Sequence, residues 1–260
     1  MAIQAFSEIE IKDIKHLSTG EKELDRVFSD EGIPCETLSI LYGGSGVGKS
    51  RFVMLLSSFL LKQGYRVLFH QMEMSPSFLK SKYGSFIDSN NFFISTASSV
   101  FELEQDIRVS KADFIINDSI NILPEYKEGK NANEIHNILR KCVIKNNCHI
   151  MFLCQQNVDG SIKGGTKIVH MIDIEMKLSH FNKQRKTILL ETKKNRMCEH
   201  RKAYFRHEKS QLVLVKDSTT KDTTTEVLKT NNIDKQEDSS TVALIILAVI
   251  VICMIVLTFL

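Results

Sequence analysis

No C-x-x-C pair occurs among the six cysteines (Cys35, Cys142, Cys148, Cys154, Cys198 and Cys253), so a zinc ribbon is not supported. Several of these cysteines lie in apolar, strand-like runs, the setting of buried free thiols in a reducing compartment. Residues 1–15 alternate acidic and apolar side chains without an apolar h-region, and the expectation is that no secretory signal peptide is present. A strong overall charge is also missing. The net value is +3, with 25% charged residues, which by itself says little about partners. Its distribution says more. Residues 216–240 carry a net −2, which leaves +5 for the part before them. The length of 260 residues allows one core domain of about 200 residues plus appendages.

What is present is organised around Gly43-Gly44-Ser45-Gly46-Val47-Gly48-Lys49-Ser50, which fits G-x-x-x-x-G-K-[ST]. The glycines let the backbone turn tightly, so that its N–H groups can face a phosphate. Lys49 supplies a mobile positive charge for the β- and γ-phosphates, and Ser50 offers a hydroxyl to Mg²⁺. Residues 36–42 read as a strand entering this loop. Residues 51–62, from Arg51 on, read as an apolar helix whose N-terminus favours an anion. Gly43 to Arg51 are the candidate nucleotide-binding residues. Ahead of them, Ser18 or Thr19 could cap a short helix carrying Leu24, Val27 and Phe28 on one face.

Further along, residues 65–72 read as a second strand, with Glu73 just past its end. A carboxylate there can polarise an attacking water. Residues 112–118 are mostly apolar and end in Asp118, a candidate Mg²⁺ ligand beside Ser50. Residues 149–154 form another buried strand ending in Gln155, which can either sense a γ-phosphate or satisfy backbone groups. Two polar loops, 121–134 and 157–167, are predicted mobile. The second interleaves glycines with Lys163 and Lys167, a pattern suited to nucleic-acid phosphates or to a plain hairpin turn. Residues 183–209 hold ten Lys/Arg against three Glu and point to a polyanion or a neighbouring subunit's nucleotide. Residues 216–240 read as a disordered tether. From Thr241 to Leu260 the chain is apolar and uncharged for 20 residues, about 30 Å as a helix. The expectation is a single transmembrane tail anchor, with residues 1–215 on the cytoplasmic side.

The ordered motifs resemble the RadA/Sms branch of the RecA-like ATPases over about residues 17–215. Ser18-Thr19-Gly20 with Glu23-Leu24-Asp25-Arg26-Val27 is similar to the family's opening motif. Glu73-Met74-Ser75 is similar to its Glu-Glu-Ser, and Asp118-Ser119-Ile120 to its Walker B. Asp159-Gly160-Ser161-Ile162 through Asp173 resembles its second DNA loop, and Lys194-Asn195-Arg196-Met197 its Lys-Asn-Arg-Phe-Gly signature. The resemblance implies a mostly parallel α/β sheet with flanking helices, assembled into a ring or filament that hydrolyses ATP with Mg²⁺ between subunits. It implies that Glu73 activates water and that Lys194 and Arg196 act in trans on a neighbour's γ-phosphate. It implies that the two loops line a path for single-stranded DNA. Arg51, Met74, Gln155 and Met197-Cys198 depart from the family pattern. A second reading stays open: a KaiC-like, nucleotide-switched membrane adaptor that recruits a protein with little turnover.

Overall fold

The computed structural model describes residues 12–118 except 86 and 88, 132–162, 171–208 except 183 and 185, and 211–215. In chain order the elements are β1 (His16–Leu17), α1 (Lys22–Phe28), β2 (Ile33–Pro34), β3 (Thr37–Gly43), α2 (Lys49–Lys62) and β4 (Val67–Gln71). There follow α3 (Pro76–Tyr83), β5 (Phe92–Ser95), α4 (Val100–Ser110), β6 (Phe114–Asp118), α5 (Ala132–Asn146) and β7 (His149–Gln155). Four strands close the series: β8 (Ile174–Asn182), β9 (Thr187–Asn195), β10 (Lys202–Glu208) and β11 (Gln211–Val215).

The main sheet has nine strands in the order β11-β10-β9-β8-β3-β7-β6-β4-β5. Every pairing from β8 across to β5 is parallel, whereas β9 joins β8, and β10 joins β9, antiparallel. Burial explains the split. All seven residues of β3 are buried, and so are the first six of β7. Strands of that kind need a layer on both faces, the usual condition of a parallel sheet. One face packs Leu41, Phe69 and Phe114 against α1 and α2, through Phe28 and Phe52 among others. The opposite face packs Leu38, Ile40 and Phe152 against α4 and α5, through Leu103 and Leu139. By contrast β8 and β10 alternate buried with more exposed positions, as strands with one covered face do.

One expectation from the sequence needs correction. Ser18 and Thr19 do not cap α1. Their hydroxyls donate instead to the Asp25 carboxylate, at 2.7 and 2.6 Å, and the N-cap Glu21 makes no side-chain cap. The basic run 183–209 is largely built into the sheet, as β9 and β10. Several of its cations face acids: Lys193 with Glu191, Arg196 with Asp173, and Arg201 with Asp30. Cys35, Cys142, Cys148 and Cys154 are buried free thiols, as expected. Among the described residues no helix is long and apolar enough to cross a membrane. The loop segments 119–131 and 163–170, with Lys163 and Lys167, lie outside the described residues, as do residues 216–260.

Candidate nucleotide site

Four parallel strands end side by side at one edge of the sheet. The register pairs Gly43 of β3 with Gln155 of β7, and Gln71 of β4 with Asp118 of β6. This carboxyl edge is where α/β sheets take ligands. At Gly43 a Cβ would collide with the Leu178 carbonyl, so only glycine lets β3 lie so close to β8. The chain then turns through Gly46 and Gly48. Gly48 is the N-cap of α2 at φ +106°, a conformation that side chains rarely tolerate. No side chain caps α2. Its first-turn N–H groups therefore face an opening suited to an anion. Val47 holds the loop down by burying its side chain in the core.

Lys49 folds back over this loop, and its Nζ donates to the Gly43 and Gly44 carbonyls at 2.8 and 3.1 Å. Burial pulls its pKa below the ordinary lysine value, against the pull of Asp118. Asp118 is pushed up to about 6, by burial first and by the charge of Glu73 second, with Lys49 opposing. The sequence-derived set is thus gathered at one edge: the loop from Gly43 to Ser50 with Arg51, Glu73, Asp118 and Gln155. Its donors suit a hard divalent cation. One carboxylate and the Ser50 hydroxyl, completed by phosphate and water oxygens, are the usual partners of Mg²⁺. The mutual repulsion of Asp118 and Glu73 is charge that a cation would relieve.

Lys194 and Arg196 stand elsewhere. The register pairs Lys194 with Glu175, near the start of β8, and Arg196 follows the end of β9. Arg196 contacts Asp173 at 3.2 Å, and its backbone N–H donates to the Asp173 carbonyl. Asp173 also accepts from the Leu38 N–H, near the beginning of β3. From Leu38 to Gly43 the strand rises about 16 Å. The two cations therefore sit on the edge opposite their own P-loop, a placement compatible with action on a different subunit.

No protein-family model matches the chain. DNA repair protein RadA from Campylobacter jejuni subsp. jejuni serotype O:2 is 26% identical over 175 residues, 64% of this chain and 39% of that protein. DNA repair protein RadA from Chlamydia muridarum (strain MoPn / Nigg) is 31% identical over 109 residues, 41% of this chain and 24% of that protein. Among solved structures, an ATPase domain matches with a TM-score of 0.64 and 14% identity, over 78% of this chain and 93% of that one. The core is thus similar in sequence to part of these RadA proteins and shares the fold of that ATPase domain. The chain spans two fifths or less of the length of these RadA relatives.

The core has site residues that the sequence did not disclose. Gln71 is only 1% exposed. Its Oε1 accepts from the Met74 N–H at 2.7 Å, and its Nε2 donates to the Met74 carbonyl. This clamp closes the turn that carries Glu73. Nothing in the sequence says that Gln71 will bracket Met74, so only the geometry reveals this role. Arg140 is the second such residue. Its Nη1 donates to Asp173 at 2.6 Å and its Nη2 to the Met171 carbonyl at 2.9 Å, so it holds the carboxylate that receives Arg196.

Proposed function

We propose that this protein is an ATP-hydrolysing, RecA/RadA-like ATPase of DNA recombination or repair that binds single-stranded DNA as a homo-oligomer. The observation that carries this reading is the convergence of Lys49, Asp118, Glu73 and Gln155 on the loop at Gly43–Ser50. Within one subunit, Lys49 and the α2 N-terminus bind the β- and γ-phosphates. Ser50 and Asp118 are the residues that would hold Mg²⁺, which when bound neutralises phosphate charge. Glu73 orients the attacking water and accepts its proton, and Gln155 registers the γ-phosphate. Lys194 and Arg196 serve the nucleotide of a neighbouring subunit, so assembly completes each site. Lys163 and Lys167 contact DNA phosphates. Residues 1–215 form the ATPase domain, 216–240 a linker and 241–260 a membrane anchor that leaves the ATPase on the cytoplasmic side.

The test is steady-state ATP hydrolysis by the detergent-solubilised full chain, with and without single-stranded DNA. DNA should raise the rate, salt should weaken the effect, and Lys49→Ala should abolish it. Turnover that no nucleic acid alters, together with ATP-dependent capture of a protein, would favour the adaptor reading instead. Carbonate extraction of cell membranes checks the anchor: release of the chain into the supernatant contradicts it.

A further inference from the structure

The sheet does not stop at the P-loop. β8 pairs with β3 from Ile174 to Lys177 and then runs on to Asn182, so β8, β9 and β10 stand as a wall beside the loop. Strand side chains alternate between faces. On the face toward α2, β8 carries Ile174, Met176 and Leu178, β9 carries Leu190 and Ile188, and β10 carries Ala203 and Phe205, all buried in one core with Phe52. Continuing each row by one step leaves the core. The next residues are His180 on β8, Lys186 in the turn before β9, and His207 on β10. Three apolar rows thus end in three cation-forming side chains at one edge.

The register holds them together. His180 lies opposite Ile188, which lies opposite Phe205, and the His207 N–H donates to the Lys186 carbonyl at 3.0 Å. Helix α2 meets the cluster from the other side. Arg51 Nη1 is 3.5 Å from His207 Nδ1. A Cβ added at Gly48 would lie 3.6 Å from the His207 ring, in ordinary contact. Burial lowers the His207 pKa, and Arg51, His180 and Lys186 lower it further. These three neighbours are all basic side chains. On its own strand the flanking Arg206 and Glu208 approach each other at 3.9 Å. Like charges gathered beside an uncapped helix N-terminus form a potential well for an anion.

The position identifies that anion. The P-loop lysine reaches the β- and γ-phosphates, and the remaining phosphate lies along the first turn of the helix. That is the turn that carries Arg51. We propose that Arg51, His207, Lys186 and His180 form a second anion subsite that takes the α-phosphate end of a nucleoside di- or triphosphate, and so distinguishes a nucleotide from a free polyphosphate. This inference rests on the P-loop reading and adds a specificity element to it. Neutral His207 accepts from Arg51. With the α-phosphate bound, both side chains turn their donors to its oxygens.

Binding of ADP and of inorganic pyrophosphate, by calorimetry on the full chain in detergent, tests this. Pyrophosphate fills only the part of the loop served by Lys49. His207→Ala and Arg51→Ala should each weaken ADP about tenfold, the scale of one charge-assisted hydrogen bond, and change pyrophosphate less than about twofold. His207→Gln, which keeps a neutral polar group, should fall between wild type and His207→Ala. Equal weakening of both ligands, or no weakening of ADP, overturns the subsite while leaving the P-loop reading intact. Failure of the wild-type protein to bind either ligand overturns both. The unfolding midpoint of each variant should match wild type, because His180, Lys186 and Arg51 are exposed and His207 is half-buried.

Discussion

Near the start of β3, the Asp173 carboxylate accepts from the Leu38 N–H, from Arg140 and from Arg196, and it is 7% exposed. At the other end of the same strand, Asp118 is held near Glu73 and is pushed up to about 6, while Lys49 has only carbonyls to donate to. Along the first edge, Lys15 pairs with Asp113 at 2.5 Å, and His149 sits between the hydroxyls of Thr37 and Ser39 at 2.8 and 2.6 Å. At the first edge the acids Asp173 and Asp113 are paired within the subunit. The other keeps acids facing acids and cations facing cations. The pairing at the first edge serves folding, and the charge left unbalanced at the second fits a place where binding repays it.

The largest effect should come from the unbalanced edge. Lys49→Ala should lower ATP turnover at least about a hundredfold, the scale of losing a preorganised charge at the reacting phosphate, with little change in thermal midpoint. A melting temperature that collapsed with activity would mean that this edge is structural after all. At the matched edge the reverse is expected. Asp173→Ala strands two guanidinium groups and a buried N–H, and should cost about 3 kcal/mol in urea unfolding, with ADP affinity retained. A stability loss below about 1 kcal/mol would sink the contrast.

Next comes pH. Burial holds His149 and His136 down at about 4, so both are neutral in the fold at pH 7. The unfolded chain takes up these protons first, near pH 6.5, so stability is complete above that value and is lost as pH falls toward about 4. Between pH 7.5 and 5.5 each histidine should account for about 1 kcal/mol. His136→Leu should remove about half of that slope in chemical denaturation; an unchanged slope argues against the assignment. The smallest effect belongs to Gln71→Ala, which releases the Glu73 turn. It should reduce kcat about tenfold while KM for ATP stays within about twofold, since Glu73 acts on water rather than on binding. A rise in KM alone would mean that Gln71 serves nucleotide binding and not Glu73.

Much of the unbalanced edge was legible from the sequence because its chemistry is local. Gly43 to Ser50 is one contiguous motif, and Glu73, Asp118 and Gln155 each terminate an apolar run that could only be a buried strand. The matched edge was less legible. Asp173, Arg140 and Arg196 meet from three distant stretches, and nothing in a charge pattern says which acid a given arginine will find. β10 was missed because Lys202, Arg206 and Glu208 face outward and conceal the buried row of Ala203 and Phe205. The sequence reads as closing strands only at 172–178, 187–191 and 211–215, so His207 was one more residue in a basic run. Ser18 and Thr19 misled for a related reason: a hydroxyl before a helix normally caps it, but Asp25 offered a better acceptor.

β8 is also a mechanical element. Its first residue lies next to Asp173, which holds Arg196, and its far end carries His180 beside the P-loop wall. Nine residues of strand make a bar about 30 Å long that hardly stretches. The two ends keep a fixed separation, so whatever shifts one of them along the strand shifts the other by the same amount. In the assembly proposed above, engagement of a neighbour through Arg196 at one end would be felt, as displacement, at the mouth of the subunit's own loop at the other.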